Sequence, residues 1–446
     1  MVILFFALLG ANTGKGGVQN EDYCLAGRKS SVISVSGILL GALVGGASTV
    51  GTVQMAYSYG LSAWWFTLGG GIGCLVLGLF FAAPLRASGL QTITQFLAEK
   101  YGSKTAKVSM WASVIGTFIS VIAQFLAGAA LLKGIVPIND WAIMLIFSLA
   151  ILAFIFLGGL KSYSKIGVYK IVFLYGILFL CFIVSLRELG WDYLKVTKNL
   201  PSKPFFSLFG LGVGKGLSAG TSLVVGVLCT QIYIQAVFSS SSPKTAKNGA
   251  LLAAFLMPPL GLLGIWIGLY LRSSGVDISP SEALSFFIHN HFPPFLAGAI
   301  WAGILITVIG TAAGLALGMA TNLVSDFLIP ARRQGANALW LNRLMILVVI
   351  FGAAAIAALG KASMILEWSY LSMGLRGAGT FFPLVIGILK PGLLPPRWAF
   401  WSSSLGLSTT LFWPLTGLPL KPLFAGLGAS ALASMIGLFM NSIKKG

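Results

Sequence analysis

The chain has 446 residues, of which 57% are hydrophobic and only 9% charged, with a mean hydropathy of +0.93. Soluble domains carry about 25% charged residues, and no soluble core could hide this much apolar surface, so a soluble fold is excluded. The formal charge of +19 does not indicate nucleic acid, because the lysines and arginines sit at the ends of apolar stretches rather than in one patch.

A helix of about 20 apolar residues crosses a ~30 Å hydrocarbon core. Met1–Gly10 is apolar but reaches only about 15 Å as a helix and lacks the basic region of a signal peptide. It reads as the end of a shortened first helix, within a segment 1–30 that also carries a cytoplasmic loop. Twelve full spans follow, at about 31–59, 62–85, 106–136, 140–158, 166–187, 206–238, 248–272, 295–324, 338–358, 362–388, 397–415 and 420–440. Two of them are interrupted by glycine and small polar residues, around Gly45–Gly51 and Gly210–Gly220. A membrane helix is broken only where its freed backbone groups line a cavity or bind something. Residues 31–187 and 188–389 each hold five spans that open with a broken one, and 390–446 holds two more. That arrangement predicts an all-α polytopic membrane protein with a five-plus-five inverted repeat, the organisation of a secondary transporter.

Basic residues cluster on alternate connections: Arg28 and Lys29; Arg86 with Lys100, Lys104 and Lys107; Lys161, Lys165 and Lys170; Lys244 and Lys247; Arg332 and Arg333; Lys390 and Arg397; Lys444 and Lys445. Excess Lys and Arg on every second loop places those loops, and the C-terminus, in the cytoplasm of a cell (inner) membrane protein. The four cysteines are scattered with no metal-binding spacing. Gly10-Ala11-Asn12-Thr13-Gly14-Lys15-Gly16 is a poor phosphate loop, since Gly16 stands where Ser or Thr is needed. Ten acids in all, mostly at loops, do not make a membrane enzyme.

Several stretches, in order along nearly the whole chain, carry a resemblance. They are Asp22-Tyr23-Cys24-Leu25-Ala26-Gly27-Arg28, Gly46-Ala47-Ser48-Thr49 with Ala56-Tyr57 and Gly60-Leu61-Ser62-Ala63-Trp64, Thr92-Ile93-Thr94-Gln95-Phe96-Leu97, Gly158-Gly159-Leu160-Lys161, and Glu282-Ala283-Leu284 through Pro293-Pro294 to Asp326. The set resembles the sodium:solute symporter family, whose fold is of the LeuT type. The resemblance implies a sodium site at positions matching Ala47, Val50, Thr307, Gly310 and Thr311, with Gly310 unable to supply the family's hydroxyl. It implies solute contact at Gln54, with Tyr57 beside it, and at Thr230 and Gln231, where Thr230 replaces the family's asparagine.

One departure bears on coupling. Where the family has an acid close to the sodium, this chain has Ile166, Gly167 and Lys170, with Lys165 nearby. A cation beside lysine is repelled, so one expectation is that the ammonium of Lys170 or Lys165 occupies the vacated site. The other is that both are span-end lysines that snorkel to water. Glu367 and Arg376 lie on roughly opposite faces of one helix and read as span-end side chains, and Gln124 has no motif support.

The expected function is sodium-coupled symport of a small polar organic solute by alternating access. A proton-coupled or uncoupled carrier with a lysine in place of sodium is the first alternative, and a transporter-like membrane sensor domain the second. No cofactor is expected beyond possible Na+; the partners are the solute and membrane lipid, with no nucleic acid and no obligate protein partner. A C-terminal green fluorescent protein fusion should fluoresce, and an alkaline phosphatase fusion at the same point should be inactive; the reverse pattern would refute the orientation.

Overall fold

The computed structural model describes residues 24–133, 139–156, 159–328, 336–359 and 364–445. Met1–Gly10, Asp22, Tyr23, Arg332, Arg333 and the side chain of Lys165 lie outside the described residues. The first membrane helix is split into α1 (Val32–Leu43) and α2 (Thr52–Tyr59), joined through a π-helical turn at Ala47–Gly51. Next come α3 (Trp64–Val76, which continues to Ala87), α4 (Ile93–Tyr101), α5 (Ser103–Lys133), α6 (Asp140–Phe156) and α7 (Gly159–Glu188). A second split helix follows as α8 (Val213–Cys229) and α9 (Gln231–Phe238), bent by 45° at the break. The chain continues with α10 (Pro243–Ser273), α11 (Ala283–His291), α12 (Pro294–Leu323), α13 (Ala336–Leu359), α14 (Ile365–Leu389), α15 (Pro396–Phe412) and α16 (Pro422–Lys445).

Each of the twelve expected spans has a helix or split helix in its place. Among the described residues, eight helices are long and apolar enough to cross a membrane, nine with the bent pair, while α1 and α6 are shorter. Exposed Leu, Ile, Phe and Trp side chains coat α6, α13 and α16. That surface is stable only against lipid. By contrast, 94% of the apolar stretch of α12 is buried, so α12 forms the centre around which both halves pack.

The second break corrects the expectation from glycine content. It falls between Cys229 and Gln231, with Thr230 in extended conformation, not within Gly210–Gly220. Helix α8 runs through Gly216 and Gly220, where an added Cβ would come within 2.9 Å of the Trp65 indole nitrogen and 2.6 Å of its ring carbon. These glycines make room for a large ring on α3; they do not interrupt the helix.

A similar close approach sets the first half. On α7, a Cβ on Gly167 would lie 2.2 Å from the carbonyl oxygen of Gly37 on α1. The two helices run parallel here, with Ser164 Oγ donating to the Ser34 carbonyl at 3.3 Å at one end of the contact. Gly167 and Lys170 share a face of α7 at helical spacing, so this contact also sets the height of Lys170 beside α1. Gly167→Val should lower the melting temperature of the detergent-purified protein, by about 1–3 kcal/mol of stability if it behaves as ordinary overpacking. An unchanged melting temperature would show that the helices are free to separate.

Candidate functional site at the two helix breaks

Helix α1 stops because Val44 turns to extended geometry (φ −93°, ψ 97°) and two glycines follow. Side chains are excluded there, since a Cβ on Gly45 would come within 2.5 Å of Thr311 Oγ1 and one on Gly46 within 2.2 Å of Ala127 Cβ. The freed backbone groups need partners inside the membrane. Gln124 of α5 accepts from the Gly46 amide at 2.8 Å. Thr311 Oγ1 of α12 lies 3.0 Å from both the Gly41 and Val44 carbonyl oxygens. Lys170 Nζ of α7 donates to the Gly41 carbonyl and to Thr311 Oγ1, at 2.7 Å each. Lys170 is 2% exposed, which rules out snorkelling. Its charge sits at the carbonyl end of a half-helix, where the helix dipole favours a cation.

The second break carries its own cation. Arg376 of α14 is fully buried, contrary to its reading as a span-end side chain, whereas Glu367 is exposed. Its Nη1 donates to Thr230 Oγ1 at 2.7 Å. Its Nη2 donates to Ser120 Oγ at 2.8 Å and Ser372 Oγ at 2.5 Å, and Nε to the Ser372 carbonyl at 3.2 Å. Thr230 Oγ1 in turn donates to the Gly226 carbonyl at 2.5 Å, closing the end of α8.

The two arrangements correspond. Counting each split helix as one, α7 and α14 are the fifth membrane helices of their halves, and Lys170 and Arg376 are each the twelfth residue of their helix. Each reaches the break of its own half and a hydroxyl on the third helix of the other: Thr311 on α12 for Lys170, Ser120 on α5 for Arg376. They are the only lysine and arginine side chains buried among the described residues. On insertion scales each would cost about 2.5–3.5 kcal/mol at a helix centre, and their hydrogen bonds to neutral oxygens offset part of that.

The residues expected at a sodium site are partly gathered. Thr311 bonds Lys170 directly, and a Cβ on Gly310 would stand 3.7 Å from the Lys170 ammonium. The Ala47 carbonyl accepts from Thr52 Oγ1 at 3.2 Å, Val50 is buried, and Thr307 bonds back to the Ile304 carbonyl at 2.6 Å. The residues expected at the solute do not converge. Gln54 Oε1 accepts from the Ile365 amide at 3.2 Å, and the Tyr57 hydroxyl donates to the Val276 carbonyl with Arg272 over its ring. Only Thr230 meets Arg376. Gln231 bridges to α4, donating to the Gln91 carbonyl at 3.0 Å and accepting from the Ile93 amide at 3.2 Å. Gly41, Ser120 and Ser372 also belong to these sites, and nothing in the sequence marks them, because a carbonyl or lone serine in an apolar stretch has no signature. The burial of Arg376 was legible in its distance from either end of its span.

Broken first and sixth helices, in two halves of five, define a LeuT-type membrane transporter fold. Its outline is shared with an outward-open, substrate-bound Na+-coupled sialic acid symporter (TM-score 0.83, 15% identity, covering 99% of this chain and 96% of that one). The profile of the sodium:solute symporter family matches residues 23–391, and the chain belongs to that family. It is 24% identical over 422 residues to the high-affinity choline transporter 1 of Torpedo marmorata, covering 87% of this chain and 70% of that protein. It is also 24% identical over 450 residues to the high-affinity proline transporter PutP of Bacillus subtilis (strain 168), covering 92% and 91%.

Gln231→Leu would leave the Ile93 amide and the Gln91 carbonyl without their partner. A buried group left unsatisfied costs about 1–3 kcal/mol, so this variant should melt several degrees lower. Unchanged melting would mean that the α4 bridge is dispensable.

Proposed function

We propose that this protein is an alternating-access carrier of a small polar organic solute in the cell membrane, with its C-terminus cytoplasmic, in which Lys170 stands in for a coupling sodium ion. The observation that carries this reading is the pair of 2.7 Å bonds from Lys170 Nζ to the Gly41 carbonyl and Thr311 Oγ1. A sodium ion at that point would need the same oxygens, and a second positive charge within a few ångströms of the ammonium would be repelled. Gly310, which lacks the hydroxyl that the family supplies, faces the ammonium end of Lys170.

The mechanical consequence follows from what Lys170 joins. While protonated, two of its three donors tie α7 to the end of α1 and to α12. Loss of the proton removes the charge that strengthens the contact between the carbonyl end of α1 and α12, leaving only the Thr311 hydroxyl there and making it easier for these helices to move apart. A proton taken up from one side and released to the other would then do the work of a bound sodium, so the solute would be driven by a proton gradient or would run down its own. Sodium symport is the competing reading, supported by family membership and by the sodium-coupled neighbour in fold.

Counterflow in proteoliposomes with a pooled set of labelled solutes, in sodium against N-methylglucamine at two pH values, decides between them. The expected result is uptake indifferent to sodium and faster at acid pH, with the pH dependence lost in Lys170→Met. Several-fold stimulation by sodium in the native protein would overturn the lysine reading and leave sodium symport in its place.

A further inference from the structure

Lys170 and Arg376 are buried at the two breaks, and no aspartate or glutamate is hydrogen-bonded to either of them among the described residues. Glu99, Glu188, Asp277, Glu282 and Glu367 are exposed and Asp140 and Asp192 partly covered, while Asp326 has an enclosed carboxylate that pairs with neither cation. Asp326 accepts from Thr92 Oγ1 at 2.8 Å, beside the start of α4. The ion pairs found, Lys100–Glu99, Lys133–Asp140 and His291–Glu188, involve neither buried cation. A protein that buries charge ordinarily pairs it, and among the described residues no carboxylate is paired with either cation, which leaves room for a counter-charge on a bound solute.

Arg376 is the better placed to receive it. All four of its hydrogen bonds go to neutral oxygens, three of them rotatable hydroxyls on Thr230, Ser120 and Ser372. Nη1 uses one of its two N–H donors, on Thr230, at the point where α8 gives way to α9. Lys170 is already engaged at the other break with a backbone carbonyl that cannot turn away. The stem of Arg376 is held by close packing, since a Cβ on Gly116 would meet its Cγ at 2.6 Å, so the guanidinium is presented by a fixed arm. A guanidinium with a spare Nη1 donor can meet one oxygen of a carboxylate by a charge-assisted hydrogen bond, while the hydroxyls turn to donate to it.

We infer that the transported solute carries a carboxylate and that Arg376, with Thr230, Ser120 and Ser372 around it, is the group that binds it. This rests on the carrier reading above and narrows it to organic acids and zwitterions, against solutes that are purely cationic or neutral.

Matched pairs that differ in the carboxylate test it: glycine betaine against choline, proline against prolinamide, lactate against lactamide, and sialic acid against its methyl ester. Binding is read as thermal stabilisation of the full-length protein in detergent, and transport as counterflow of the same labelled compounds. At least one acid should stabilise the native protein where its partner does not. Arg376→Gln should weaken that acid by roughly 10- to 100-fold, the loss expected of a charge-assisted hydrogen bond, and Arg376→Lys should retain part of the preference.

The inference is overturned if neutral or cationic members bind as well as the acids, or if no acid binds. It is also overturned if Arg376→Gln and Arg376→Lys melt lower without ligand yet keep the native preference for acids, which would make Arg376 a structural cap of the broken helix. Binding of acids without counterflow would sink the carrier reading and leave the anion site standing. Counterflow of a neutral solute that still depends on Lys170 would do the reverse.

Discussion

A helix interrupted inside hydrocarbon leaves carbonyls and amides that no water can reach, and each must find a partner within the protein. Everything at the centre of this molecule follows from meeting that demand twice. At the first break, Gln124 takes the Gly46 amide while Thr311 and Lys170 take the carbonyls of Gly41 and Val44. At the second, Thr230 takes the Gly226 carbonyl and is itself held by Arg376. The helices that supply these side chains are thereby fixed in position around α12, and the close glycine contact of Gly37 with Gly167 follows the same geometry.

Cations suit these positions because the carbonyl end of a half-helix carries partial negative charge. A bound metal ion and a side-chain ammonium are electrostatically alternative ways of answering it. That equivalence lets one fold run on different coupling ions: the backbone oxygens stay and the charge that meets them changes. The correspondence of Lys170 with Arg376, each from the fifth helix of its half to the break of that half, extends the argument to both ends of an inverted repeat. One break is answered by an ammonium held on a fixed backbone carbonyl and a hydroxyl, and the other by a guanidinium held largely on hydroxyls that can turn.

Glycine has two uses in this chain that look alike in sequence. At Gly45 and Gly46 the backbone leaves the helix, and the missing side chains admit Thr311, Gln124 and Ala127. At Gly216 and Gly220 the helix is intact and the missing side chains admit Trp65. Expecting a break at the second pair was reasonable on composition and wrong on geometry. The true break at Thr230 has no adjacent glycine, and the change of direction there is carried by a threonine whose hydroxyl bonds back to its own helix.

The sequence by itself determined the membrane class, the twelve spans, the first break and the family resemblance, because these depend on hydropathy and on local backbone preferences that short stretches of residues express directly. It also marked Lys170 as standing where an acid was expected, but left open whether that lysine turned inward or outward. Only the tertiary structure decided that Lys170 reaches Gly41 and Thr311, that Arg376 is buried against Ser120 and Thr230, and that Gln54, Tyr57 and Gln231 serve separate inter-helix contacts. The physical reason is that these bonds join residues more than a hundred positions apart. Which of a helix's polar faces meets which neighbour is set by packing around α12, and hydropathy along the chain carries no record of that.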